Sequence, residues 1–177
     1  TDYVTPSVGR SHKEFGDRAW SFAENMGREL DQLVKDGSEV YLMCCSTGGY
    51  GDDRRMALQL AAFMKEKPKI VLDTFDPVEM VDFIAQMDMT VCQRFHAHVF
   101  SVIAGTPLVS VEFTRKVRML LEDLEVREAV TGARFDGNVF DTSGFPAAVQ
   151  RAKADPKAVG RLYRWRAASN RNRLEDV

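Results

Sequence analysis

Short apolar runs alternate along this chain with longer amphipathic segments, and this alternation restricts the folds that the chain can adopt. Each run has four to seven residues between turn-forming residues, as expected of a strand buried on both faces. Because segments of helical periodicity connect the runs, the strands are predicted to be parallel, with helices on both faces. The predicted fold class is α/β, with a Rossmann-like, doubly wound, mostly parallel sheet. The runs are 39–45 (EVYLMCC), 69–72 (KIVL), 89–92 (MTVC) and 108–111 (LVSV).

Capping residues and helical spacing indicate where the helices begin and end. Asp52 or Asp53 is predicted to cap one helix, and Asp76 followed by Pro77 marks the start of another. Residues 2–8 are predicted to form a first or edge strand, whereas 131–144 have the composition of a loop. The predicted helices are 15–35, 53–65, 78–86, 94–104, 115–124 and 145–153.

Composition excludes several classes of protein. Apolar residues make up 45% and charged residues 28% of the chain, and the net charge of -2 gives no reason to expect a nucleic-acid partner. The three cysteines include no CxxC pair, which argues against a disulfide framework or a structural zinc site. They are predicted to be small hydrophobic residues in a reducing, cytoplasmic compartment. No apolar run reaches the roughly 20 residues needed to cross a bilayer, and the start shows no signal-peptide pattern.

The charge distribution suggests a division near residue 150. Residues 151–177 contain eight lysines and arginines against three acids, and they include Tyr163 and Trp165. We predict one Rossmann-like domain over 1–150, followed by a basic helical segment that packs on this domain or on a partner domain. A solvated tail is the alternative for that segment. The chain starts at Thr1 rather than Met, so we expect it to be one part of a longer protein.

The most informative stretch follows the run 89–92. Ligands of parallel sheets bind at the carboxyl ends of strands, where Arg94 and His96 are predicted to stand at the start of a helix. Unpaired N–H groups and the helix dipole favour anions there, and an arginine adds a bidentate fork. A histidine at the same place can exchange a proton near neutral pH. The pattern favours acid–base chemistry on an anionic substrate. The alternative makes Arg94 a surface charge and His96 a core histidine.

Other candidates carry a weaker signal. His98 is two residues from His96 on the predicted helix, so it points elsewhere, and we predict a structural role rather than metal binding with Cys92. The glycine-rich stretch 46–51 (STGGYG) lacks the Lys and Ser/Thr of a P-loop and is predicted to be a turn. No metal and no cofactor are predicted.

Residues 81–126 resemble the C-terminal half of the polysaccharide pyruvyl transferase family. The resemblance rests on Asp88, the triplet Arg94-Phe95-His96, the turn 104–107 (AGTP) and Lys116. This chain departs from the family pattern at two positions. Phe113 stands where the family often has Tyr, so any role of that hydroxyl is lost, and Gln93 replaces a small or apolar residue.

The resemblance implies an activity and partners. It implies a two-domain, glycosyltransferase-B-like (GT-B) enzyme of which this chain is the C-terminal half, with the N-terminal domain as its partner. The implied reaction moves a pyruvyl group from phosphoenolpyruvate to two sugar hydroxyls, forming a ketal, in bacterial exopolysaccharide or cell-surface glycan biosynthesis. The acceptor would be a glycan or a lipid-linked sugar, the latter bringing peripheral contact with a membrane.

By the same resemblance, four residues receive roles. His96 is the general acid/base, Arg94 holds the carboxylate or phosphate of the donor, and Lys116 neutralises phosphate. Arg10 is a second anion clamp, with a solvated loop charge as its alternative. Because a site between two domains is open to water in an isolated half, we expect little or no turnover from this chain alone.

Two other functions stay open. One is a non-catalytic GT-B-like domain that binds a phosphorylated or nucleotide-linked sugar, which predicts anion binding that does not need His96. The other is an interaction module that has kept the fold without the activity, which predicts that Arg94, His96 and Lys116 are scattered or paired with acids.

Overall fold

The computed structural model of the protein describes residues 12–47, 52–136 and 139–156, with the side chains of 12–17 and 136 outside this description. The predicted strand 2–8, Arg10 and residues 157–177 of the basic segment therefore lie outside the described residues. The helices are α1 His12–Lys35, α2 Asp53–Phe63, α3 Pro77–Ile84, α4 Phe95–Ala104, α5 Arg115–Asp123, α6 Arg127–Val130 and α7 Phe145–Ala154. The strands are β1 Tyr41–Met43, β2 Lys69–Val71, β3 Thr90–Cys92, β4 Leu108–Glu112, β5 Thr131–Asp136 and β6 Val139–Asp141.

The chain divides into two compact units, one comprising 1–74 with 133–143 and the other 75–132 with 144–177. In the first unit, β1 and β2 pair in parallel, with Leu42 opposite Ile70. Helices α1 and α2 pack together, because both have an apolar side. The buried side chains of α1 include Phe22, Met26 and Leu30.

Helix α1 also satisfies the backbone of strand β6. The Ser21 hydroxyl accepts a hydrogen bond from the Phe140 N–H at 2.9 Å, and the Asn25 amide donates to the Phe140 carbonyl at 2.8 Å. The Phe140 ring is buried and makes an edge contact with Phe22. The helix therefore both packs on the strand and pairs its polar groups.

In the second unit, β3 and β4 pair in parallel, and all five residues of β4 are buried. Helix α4 ends at Gly105, whose φ of 73° is a left-handed conformation that favours glycine. After it, the carbonyl of Pro107 accepts a hydrogen bond from the Thr90 N–H at 2.8 Å. The turn 104–107 thus ends the helix and starts the parallel pair.

The mixed α/β class with parallel pairs is confirmed. Apart from the short helix α6, which was not predicted, the described helices and the strands β1 to β4 agree with the predictions to within a few residues at most ends. The prediction of a loop over 131–144 was wrong, because β5 and β6 form an antiparallel pair in which Phe135 faces Phe140. The glycines and polar residues of this segment concealed two short strands. The boundary near residue 150 stays a prediction.

Gly132, in β5, lies in a tightly packed place. A Cβ added there would meet the Val109 Cγ1 at 2.6 Å and the Ala148 Cβ at 3.3 Å. We expect Gly132→Ala to lower the free energy of unfolding by about 2 kcal/mol, because a buried methyl has no room. Urea denaturation measures this loss. The double variant Gly132→Ala/Val109→Ala should lose less than the sum of the single variants, and strict additivity would contradict the packing argument.

Candidate functional site at the carboxyl ends of strands β3 and β4

The parallel pairing of β3 and β4 sets the edge at which the predicted site residues lie. Cys92 stands opposite Ser110, so Arg94, two residues later, stands at the level of Glu112. Each strand runs into a helix, β3 into α4 and β4 into α5. The amino termini of α4 and α5 are therefore both at the carboxyl edge of this pair, where parallel sheets bind ligands. Arg94 and His96 begin one helix and Lys116 lies in the first turn of the other.

The amino terminus of α4 differs from those of the neighbouring long helices. Its N-cap, Arg94, has extended backbone angles and makes no side-chain capping hydrogen bond. By contrast, α2, α3 and α5 are capped by the side chains of Asp52, Asp76 and Thr114. The Arg94 side chain therefore does not cap the first turn of α4, and the N–H groups of such a helix start favour anions. The predicted caps Asp52 and Asp76 are confirmed.

His96 is exposed in the first turn of α4. Its imidazole stacks on the Phe100 ring, with centroids 6.2 Å apart and planes at 28°, and it meets the edge of Phe95 at 5.7 Å. Phe95 in turn packs on the apolar cluster beneath the helix. The alternative of a core histidine at position 96 is therefore wrong. The two aromatic rings instead limit the orientations of an imidazole that faces outward.

The remaining predicted cations differ in position. Arg94 is half-buried, whereas Lys116 is exposed on α5. Thr114 caps α5 by accepting a hydrogen bond from the Val117 N–H at 3.3 Å. Arg10 lies outside the described residues. The structure thus gathers three of the four predicted residues at one edge of the β3–β4 pair.

His98, two residues further along α4, is completely buried. Its Nδ1 lies 2.8 Å from the Arg94 carbonyl oxygen and its Nε2 lies 2.8 Å from the Ser110 hydroxyl. Burial lowers the pKa of His98 to about 4, against the opposing effect of the bond to Arg94. The structural role predicted for this histidine is confirmed. Its link to Arg94 was not predicted, although Val102, four residues later, marks the apolar face that His98 shares.

A buried carboxylate also lies at this edge. Glu112, 6% exposed, accepts hydrogen bonds from Arg118 Nε at 2.8 Å and from Arg127 Nε at 2.7 Å. Burial by itself raises the pKa of Glu112, but hydrogen bonding and charge from Arg127 and Arg118 outweigh it, so that this pKa lies below its usual value. The ion pairs attach α5 and α6 to the end of β4. The only sequence signal was an acid closing the apolar run 108–111.

Gln93 stands between β3 and Arg94. Its side-chain Nε2 is buried and has no hydrogen-bond partner among the described residues. An unpaired buried N–H is unfavourable by about 1–3 kcal/mol, and native structures usually pair such groups with protein, water or ligand. A hydrogen-bond donor, the Gln93 amide, therefore precedes Arg94 and His96 in the sequence of this site.

Two broader searches cover only the described residues. No group of three or more His, Cys, Asp or Glu side chains within residues 12–47, 52–136 and 139–156 is arranged to hold a metal ion. None of the helices in this same part of the chain is long and apolar enough to cross a membrane.

Comparison with known proteins identifies the family of the chain. The family described as "Polysaccharide pyruvyl transferase" matches residues 8–113, a range that includes Arg94 and His96 and ends three residues before Lys116. The amylovoran biosynthesis protein AmsJ of Erwinia amylovora is 24% identical over 134 residues, which are 72% of this chain and 32% of that relative. The chain thus spans about a third of the length of this curated relative. No solved structure matches the chain. Because the family match covers more than half of its length, the chain belongs to the polysaccharide pyruvyl transferase family.

Proposed function

We propose that this chain is the C-terminal half of a GT-B-like enzyme that transfers a pyruvyl group from phosphoenolpyruvate to two hydroxyls of a sugar. The product is a cyclic ketal in a bacterial exopolysaccharide or cell-surface glycan, which agrees with the family and with the name of the AmsJ relative. The observation that supports the proposal most is the uncapped amino terminus of α4, which carries Arg94 and the exposed His96.

The reaction has requirements that these groups meet. A proton must reach the methylene carbon of phosphoenolpyruvate, which becomes a methyl group, and positive charge then develops at the carbon that bears the phosphate. One sugar oxygen bonds to that carbon and the phosphate leaves with the electrons of its C–O bond. The second sugar oxygen closes the ring, and both hydroxyls lose their protons. The donor brings a carboxylate and a phosphate, so the site must stabilise anions throughout.

Each proposed residue has one role. His96 delivers the proton to the donor as general acid and takes one from a sugar hydroxyl as general base. Arg94 binds the carboxylate or the phosphate through its planar fork, and the positive end of the α4 dipole favours the same anion. Lys116 neutralises the departing phosphate as a compact charge. Arg10 is a second anion clamp.

The rest of the protein completes the enzyme in this proposal. The acceptor is a glycan or a lipid-linked sugar, which would bring the enzyme to the membrane surface through its substrate. We place the reaction in the cytoplasm, with which the three free cysteines agree. The N-terminal domain closes the site, so the isolated chain is expected to show little or no turnover.

Calorimetric titration of phosphoenolpyruvate at low salt tests the donor site. We expect Arg94→Ala to weaken binding about tenfold or more, because a charge-assisted hydrogen bond contributes about 1.5–3 kcal/mol. His96→Ala should bind nearly as well as the wild type, since its role is proton transfer. Arg55→Ala is the matched control, because it removes an exposed cation from α2, a helix that belongs to the other compact unit.

Either outcome of this titration is informative. Equal weakening by Arg94→Ala and Arg55→Ala would show that only net charge attracts the donor, and the site would be abandoned. If the full-length enzyme with His96→Ala keeps both donor binding and turnover, the non-catalytic binding domain becomes the better description of this half.

A further inference from the structure

A single buried side chain joins the two strands that form the candidate site. His98 is 0% exposed and contacts the Arg94 carbonyl oxygen and the Ser110 hydroxyl, each at 2.8 Å. Ser110 is itself 0% exposed and lies within β4. One imidazole therefore connects the N-cap of α4 to the middle of the neighbouring strand.

The partners of the ring determine where its proton lies. A carbonyl oxygen can only accept a hydrogen bond, so the Nδ1 of His98 must donate to Arg94. In the neutral ring, Nε2 then has a lone pair and accepts from the Ser110 hydroxyl. The low pKa that burial imposes on His98 keeps the ring in this neutral form at pH 7. Both hydrogen bonds thus point in the same direction, from Ser110 through the ring to Arg94.

The Arg94 carbonyl group that His98 contacts belongs to the N-cap of α4. The Arg94 carbonyl oxygen also accepts the His98 backbone N–H at 3.2 Å, so that two donors from one residue hold it. Holding the carbonyl fixes the peptide plane between Arg94 and Phe95, since that unit is planar. This plane carries the first N–H of α4 and the Arg94 Cα, to which the Arg94 side chain is attached.

We propose that His98 is a positioning residue, which fixes the Arg94 backbone and thereby positions the Arg94 guanidinium and the first N–H group of α4 for the anionic donor. This inference rests on the proposed function for the identity of the donor, phosphoenolpyruvate. Ser110 contributes to this positioning, because its hydroxyl donates a hydrogen bond to Nε2 and so keeps the ring proton on Nδ1.

Two conservative variants separate the two hydrogen bonds. In asparagine the amide nitrogen is bonded to Cγ, as Nδ1 is in histidine, so His98→Asn keeps a donor for the Arg94 carbonyl and loses contact with Ser110. In glutamine the amide group is one bond further out, as Nε2 is, so His98→Gln keeps the contact with Ser110 and loses the donor to Arg94. Both variants remove the buried ring, and so provide matched controls for each other.

We expect a difference in donor affinity that a merely structural role would not produce. His98→Gln should weaken phosphoenolpyruvate binding about tenfold, since it frees the Arg94 carbonyl, whereas His98→Asn should stay within about threefold of the wild type. Urea denaturation of the same samples shows whether both variants are folded and similarly stable. Equal weakening in the two variants, or none in either, would overturn the proposal while leaving the donor site intact.

A second readout keeps this inference separate from the proposed function. The side-chain Nε–H signal of Arg94 in NMR reports how firmly the guanidinium is held, without any ligand. We expect this signal to report greater motion in His98→Gln than in His98→Asn. If the wild-type chain does not bind phosphoenolpyruvate, the proposed donor is wrong. The positioning role of His98 is then tested by the Arg94 NMR signal alone. Equal motion in both variants would then refute the positioning role.

Discussion

Glu112→Ala is expected to lower the free energy of unfolding by about 3–5 kcal/mol, the range found when one partner of a buried ion pair is removed. The Glu112 carboxylate is nearly inaccessible and is the acceptor for both Arg118 and Arg127. Arg118 is 54% exposed and can return to water. Arg127 is only 25% exposed and would keep only its longer contacts with Glu122 and Glu128, at 3.6 and 3.9 Å. A single small domain has about 5–15 kcal/mol of stability in total, so the variant would lose a large share of it.

Glu122→Ala is the control for this substitution. Glu122 lies 3.6 Å from the Nη1 of the same arginine, Arg127, but its side chain is 50% exposed. An exposed ion pair contributes at most about 1 kcal/mol, so this variant should be almost as stable as the wild type. Urea denaturation midpoints compare the two variants directly. Losses of similar size would show that burial of Glu112 does not matter and that the ion pairs at the end of β4 are ordinary surface contacts.

Acidification is expected to destabilise the protein through His98 by about 2 kcal/mol between pH 7 and pH 5. The pKa of His98 is about 4 in the fold, below the ordinary value of 6.5. In this interval the unfolded chain therefore binds a proton that the folded chain does not. The stabilisation is fully present above pH 6.5, declines as the pH falls, and is lost below about pH 4, where both states are protonated.

Urea denaturation at a series of pH values measures this effect. His98→Asn should flatten the dependence between pH 7 and pH 5, whatever its effect on stability at pH 7. Glu112 acts at lower pH, because its lowered pKa makes it stabilising above the unfolded value of about 4.3 and ineffective once the pH falls through its folded value. An unchanged slope in His98→Asn would mean that the buried imidazole is not the group that titrates.

Features that depend on residues close together in the sequence could be predicted. Asp52 and Asp76 cap helices because their carboxylates reach N–H groups only two or three residues away. Asp76 and Glu79 even form a reciprocal capping box, which Pro77 between them reinforces. The short apolar runs could be predicted as strands for a similar reason, since their length and apolar composition are local properties of the chain. The position of Arg94 at the start of a helix also followed from such signals.

Features that depend on strand register could not be predicted. The pair of His98 and Ser110 exists because Cys92 stands opposite Ser110. A shift of one residue would turn the Ser110 side chain to the other face of the strand. A run such as LVSV is apolar on both faces, so the sequence does not specify which face meets α4. The same limit applied to Glu112 and Arg127, which are 15 residues apart and meet only after α5 and α6 have folded.

The two histidines of α4 show that the sequence did not specify which residue of a helix faces the core. Successive residues turn by about 100°, so His96 and His98 had to point in different directions, but the spacing did not say which one faced the core. The outcome follows from their neighbours, because His98 shares its face with the buried Ser101 and Val102. The prediction that the two side chains point in different directions is confirmed, since His96 is exposed and His98 is buried.

The contact between α1 and β6 has a consequence for association between molecules. An unpaired strand edge is a template on which a strand from another chain can add. At Phe140 both backbone groups are already bonded to Ser21 and Asn25, one helical turn apart, so an incoming strand would have to displace the helix before it could pair there. Substituting both helix residues by alanine would keep the apolar packing of α1 and open that position to strand addition. These two small polar side chains thus protect the hairpin from intermolecular strand pairing at its Phe140 position.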